Sequence, residues 1–143
     1  PPYPSSLDFL RHLEPQVPDS LKYLIEDWFK EITLYDNRLK EATYKKLDNG
    51  KYQVKLDIES YKIKSDSLGN ETRVPMNDWI DIGFFMDSNE EKLYEQRRLK
   101  FNTDTSTLTV ELDSLPVKAA IDPRHILIDR VFKDNIKGLS IEE

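Results

Sequence analysis

Between Pro116 and Asn135 the chain reads PVKAAIDPRHILIDRVFKDN, where His125 stands among Asp122, Asp129 and Asp134, with Arg124 and Arg130 between them. An imidazole near carboxylates is the raw material of general acid–base chemistry, because a paired acid raises the histidine toward neutral pH. Catalysis would also need a nucleophile or a metal in the same pocket, and this segment supplies neither. The same residues read as a strand stop. Aspartate caps turns and proline cannot donate to a ladder, so Asp122-Pro123 ends the strand PVKAAI. Ile126, Leu127 and Ile128 then form an apolar patch, and Asp129 and Arg130 are suited to pairing with neighbours. Structural closure is the expected role.

Other chemistries find less support. The four glycines, at 50, 69, 83 and 138, make no phosphate loop. The two histidines, His12 and His125, belong to no HExxH pair, and no serine sits in G-x-S-x-G. Asp87, Asn89 and Glu91 alternate like calcium ligands, yet DSNEEKLYEQRR lacks the central glycine and the terminal bidentate glutamate. A hairpin loop is expected there. Without cysteine there is no thiolate nucleophile, disulfide or Cys-based zinc site. The sequence therefore assigns no catalytic, cofactor-binding or metal-binding residue.

The elements that would position such residues are legible from periodicity. A chain of 143 residues suits one domain with its own core. With 21 basic against 27 acidic side chains, the net charge of -6 argues against a nucleic-acid binder. No stretch approaches the length of apolar sequence that inserts in a membrane. The opening PPYPSS has neither a methionine nor a targeting segment, and reads as a portion of a longer protein.

Residues 1–32 are expected to form a proline-rich lead-in and an amphipathic linker helix. Ser5 or Ser6 caps a first short helix, SLDFLRHLE, which Pro15 and Pro18 end. From Asp19 to Ile32, DSLKYLIEDWFKEI places Leu21, Leu24, Ile25, Trp28, Phe29 and Ile32 on one stripe. Ile25 and Ile32 are expected to pack back on the strands. Leu21, Leu24, Trp28 and Phe29 are expected to remain partly uncovered, inviting self-association or coverage by the lead-in.

After Ile32 the period becomes 2. Asp48-Asn49-Gly50 marks a hairpin turn, and Tyr52, Val54, Leu56 and Ile58 share a face of the return strand. Past Ser60 the apolar residues are Tyr61 and Ile63, a one-residue slip that reads as a bulge or a twisted edge. SDSLGNET, Ser65 to Thr72, reads as a polar loop. Ile80, Ile82, Phe84 and Met86 then alternate, as do Leu108, Val110 and Leu112, and Val117, Ala119 and Ile121; Leu93, Leu99 and Phe101 are expected in phase. About seven strands, each with one apolar face, predict a mainly β fold: an immunoglobulin-like antiparallel β-sandwich over 33–143, each sheet having one wet side.

DSLKYLIEDWFKEITLYDNR (Asp19 to Arg38), SLGNETRVPMNDWIDIGFF (Ser67 to Phe85) and the tail PVKAAIDPRHILIDRVFKDN together resemble the carboxy-terminal end of aminopeptidase-N-like zinc metallopeptidases. The likeness is nearest to bacterial proteins in which such a peptidase is fused behind an ABC-type permease. It implies a zinc-bearing catalytic domain elsewhere, with HExxH, a downstream glutamate and an assisting tyrosine, none of them in this chain. It further implies a non-catalytic accessory sandwich, in an extracytoplasmic portion of a membrane-attached protein, whose partners are upstream helical and catalytic domains in cis. Asp78-Trp79, Asp122-Pro123, Asp129-Arg130 and Asp134-Asn135 match the family's signals without a catalytic assignment. The competing expectation is an independent peptide- or protein-binding sandwich, using exposed aromatics such as Tyr61 or Tyr94.

Overall fold

The computed structural model describes residues 3–142; Pro1, Pro2 and Glu143, which the expected ranges 1–32 and 33–143 include, lie outside them. The chain is mainly β, with two sheets facing each other as a sandwich, and short helical turns before the first strand. Helix α1 (Ser6–Leu13) begins at a capping box, where the Ser5 hydroxyl accepts from the Asp8 N–H and the Asp8 carboxylate accepts from the Ser5 N–H.

The expected helix from Asp19 to Ile32 is not one helix. It breaks into a 3₁₀ turn (Asp19–Leu21), a single α turn (Tyr23–Ile25) and a wide π turn (Glu26–Lys30), closed by the Glu31 N–H donating to the Glu26 carbonyl. The buried side chains are Ile25 and, unexpectedly, Asp27, while Trp28 and Phe29 stay half-exposed. Ile32 is already the first residue of a strand and is exposed. Tertiary pairing of Asp27 outweighs burial of the whole apolar stripe.

The first sheet is built on a long hairpin, β1 (Ile32–Lys46) and β2 (Tyr52–Ser65). The far side of β2 carries β3 (Glu71–Val74) at one end and β6 (Thr105–Leu112) at the other. The second sheet has β5 (Leu93–Phe101) beside β4 (Asp78–Phe85), then β7 (Lys118–Ile121) and β8 (Ile136–Gly138). A short β9 (Ser140–Ile141) runs parallel to β1, and Asp129 makes a parallel bridge to Tyr35. Among the described residues nine strands form, where seven or so were expected. Two of the additions, β8 and β9, are stubs, and β3 lies in a polar stretch with no apolar face to mark it.

Three phase expectations are corrected by register. β2 does not slip at Ser60: burial continues through Val54, Leu56, Ile58, Ser60 and Lys62, and the irregularity lies in β1 between Leu39 and Glu41. A bulge between Phe84 and Phe85 pairs Phe85 with Leu93, so Leu93 is out of phase with Leu99 and Phe101. β7 starts at Lys118, leaving Val117 about half-exposed.

The core between the sheets is uneven. One half is apolar, with Leu39, Val54, Leu56 and Ile58 facing Ile80, Ile82, Phe84, Ala119 and Ile121. In the other half the inward rows of the first sheet read Thr33, Tyr35, Asn37 and Ser60, Lys62, all buried. A polar half-core is stable when most of its groups are paired; here Thr33 Oγ1 and Asn37 Nδ2 are buried without a partner among the described residues. The second sheet is not simply wet outside either, because Asp81, Gly83 and Phe85 on the opposite face of β4 are also buried.

Candidate functional site: a buried polar cluster and the groove beside it

Lys62 is where the helical segment and the two sheets meet. Its Nζ lies 2.5 Å from Asp27 Oδ2 on the π turn and 3.1 Å from Asp78 Oδ1 at the start of β4. Tyr35, opposite Lys62 on β1, donates its hydroxyl to Asp78 Oδ2 at 2.8 Å. Lys64, one inward step further along β2, sits 3.2 Å from Asp27 Oδ1 and also pairs with Glu31. Burial and the neighbouring Asp78 carboxylate push the Tyr35 phenol far above its ordinary range, so it remains a donor. The Tyr23 hydroxyl accepts from the Trp79 N–H at 3.1 Å, and its pKa is raised, chiefly by burial. The break in the helix therefore has a cause: the π turn delivers Asp27 to a lysine inside the sandwich.

Of the cluster, the sequence marks only Asp78, as part of the Asp78-Trp79 signal, and does not mark Lys62, Asp27 or Tyr35 as its partners. The available signal was the unbroken alternation from Val54 to Lys62, which points a lysine inward. It was masked by Tyr61 and Ile63, whose apolar side chains suggested a change of phase.

Beside the cluster runs a groove of about 80 Å³, lined by Leu21, Leu24, Trp28, Trp79, Ile126 and Leu127, with Asp81 and Arg98 at its polar edge. Trp28 and Ile126 are each 50% exposed, so the groove is bordered by apolar surface open to water. Phe29 is partly covered by Phe9 of α1, with ring centroids 5.9 Å apart. The lead-in therefore shields that end of the stripe and leaves Trp28 uncovered.

The tail segment is a set of backbone clamps. The Asp122 carboxylate accepts from the Ile126 and Leu127 N–H groups at 3.0 and 2.9 Å. Burial raises its pKa, against the lowering effect of those two hydrogen bonds. Asp129 accepts from the Asn37 N–H at 2.9 Å, the Val131 N–H at 2.9 Å and Asn135 Nδ2 at 3.2 Å. Asp134 lies 3.7 Å from Arg38, and Arg130 pairs with Glu71. His125 is exposed, with its ring edge-on to Phe132 at 5.1 Å; its backbone N–H donates to the Asp122 carbonyl at 3.0 Å, and no hydrogen bond joins its ring to a carboxylate among the described residues. Asp122 and Asp129 thus hold backbone N–H groups, while the Asp134 carboxylate makes only the ion pair with Arg38 among the described residues.

Asp87 accepts from the Glu91 and Lys92 N–H groups, which is hairpin capping. Among the described residues no group of three or more His, Asp or Glu side chains is placed to hold a metal ion. No helix of the described residues is long and apolar enough to cross a membrane. Tyr61 is stacked under the Arg73 guanidinium at 3.5 Å, so it offers little free aromatic surface. In comparisons with known proteins, no family model matched the chain, no curated protein matched it, and no solved structure matched it.

Proposed function

We propose that this chain is a non-catalytic β-sandwich accessory module of a larger, membrane-attached zinc aminopeptidase, extracytoplasmic in location, and that it works by packing against the helical and catalytic parts of that protein. The observation that carries the reading is the groove beside the helical segment, where Trp28, Trp79 and Ile126 are between 39% and 50% exposed on one side of a closed sandwich. Contiguous apolar surface of this kind favours an interdomain contact, since burying one such side chain contributes roughly 1.5–3 kcal/mol. The commitment of the tail acids to backbone N–H groups supports a structural rather than catalytic role for that segment.

Two measurements test it. Incubated with zinc and aminoacyl chromogenic substrates, the purified chain should give no turnover above a buffer blank, and turnover at ordinary enzyme rates would overturn the reading. The coding sequence upstream of this segment should contain HExxH and membrane spans. A separate, unrelated reading frame there would instead favour the independent binding module.

A further inference from the structure

Lys62, Asp27 and Asp78 bring together the reactants of an amide condensation. The Lys62 side chain is 8% exposed and each aspartate side chain 3%, and Nζ touches both acids, at 2.5 Å and 3.1 Å. The rings of Tyr23 and Tyr35 lie 5.3 and 6.0 Å from Nζ and exclude water from two sides. In water an ammonium is no nucleophile and a carboxylate no electrophile. Fixed contact supplies a high effective concentration, and transfer of one proton from the Lys62 ammonium to the touching Asp27 carboxylate generates the amine and acid that condense.

We propose that Lys62 and Asp27 are joined by an isopeptide bond between Nζ and Cγ, with Asp78 as the proton-transfer group. The neutral amine adds to Cγ of Asp27 in its acid form. Asp78 takes a proton from the nitrogen and returns it to the departing hydroxyl. One C–N bond forms, one C–O bond breaks and one water leaves, with no change of oxidation state. Asp27 is the acyl partner because it is the nearer acid and its second oxygen, Oδ1, has Lys64 Nζ 3.2 Å away to stabilise the charge that develops on addition. Asp78 is the shuttle because the Tyr35 hydroxyl fixes its Oδ2 and leaves Oδ1 facing the amine. The product ties the helical segment covalently to the first sheet and removes two buried charges.

Intact mass spectrometry of the denatured full chain tests this directly. The expected mass is that of the sequence less one water, with fragment spectra placing a branched peptide between the segments of Asp27 and Lys62. Lys62→Arg and Asp78→Asn should each restore the uncondensed mass. A wild-type mass equal to the sequence overturns the proposal, whatever the variants do. So does a water deficit that maps elsewhere, such as a cyclic imide at another aspartate. A bond that survives Asp78→Asn would overturn the role given to Asp78.

Discussion

Gly83 lies directly under Pro123: a Cβ built at position 83 would be 2.7 Å from the proline Cγ and 2.9 Å from Leu93 Cδ1. The tail loop is thereby pressed flat on the outer face of β4, and the glycine is required by that close approach. Gly83→Ala should destabilise the fold by about 1–3 kcal/mol, the usual cost of overpacking. Urea titration would measure it, and an unchanged midpoint would mean that the loop moves aside without cost.

His125 has φ of 50°, in the left-handed region, where β-branched side chains are strained. His125→Asn should stay close to wild type in thermal stability. His125→Val should lose about 1–2 kcal/mol. Equal stabilities for the two variants would show that backbone geometry places no demand on this position.

The Asp122 carboxylate accepts from two successive N–H groups of the tail loop. Asp122→Ala should cost about 1–3 kcal/mol, with amide exchange faster at Ile126 and Leu127 than at the β2 core positions. Uniform acceleration along the chain would instead mean that the loop opens only with global unfolding.

Asp81 is held below its ordinary carboxylate value of 3.8, mainly by hydrogen bonding to Arg98. Its folded pKa is depressed, so its stabilising contribution is complete above the unfolded value and is lost as pH falls through the folded one. Arg98→Ala should therefore reduce stability at neutral pH and flatten the acid limb of the profile below about pH 4. Because the Arg98 side chain is 58% exposed, the loss should be only about 0.5–1 kcal/mol. An acid limb identical to wild type would show that other carboxylates set it.

Trp28, half-exposed, borders the groove assigned to domain packing. The isolated chain should self-associate as its concentration rises, and Trp28→Ser should weaken that association by several-fold with little change in unfolding midpoint. Sedimentation velocity would follow the first and chemical denaturation the second. A wild-type chain that stays monomeric at high concentration would remove the groove as an adhesive surface.

The sequence by itself determined the elements whose signal is local. Alternation at Val54, Leu56 and Ile58, the Asp48-Asn49-Gly50 turn and the Asp122-Pro123 stop each specify backbone geometry over a few residues. Together they dictate a sandwich and the structural use of the tail acids. Only the tertiary structure decided what lies in the polar half of the core. Tyr35, Asn37, Ser60 and Lys62 look like solvent-facing residues when read by hydrophobicity, and they are inward because partners distant in sequence engage them, although Asn37 Nδ2 and the buried Thr33 hydroxyl find no partner among the described residues. The same holds for the helical segment. Its apolar stripe predicted one continuous helix, whereas pairing of Asp27 with Lys62, thirty-five residues away, broke the period and turned Trp28 outward. Periodicity records which side chains avoid water; it carries no record of which charges have found each other across the fold.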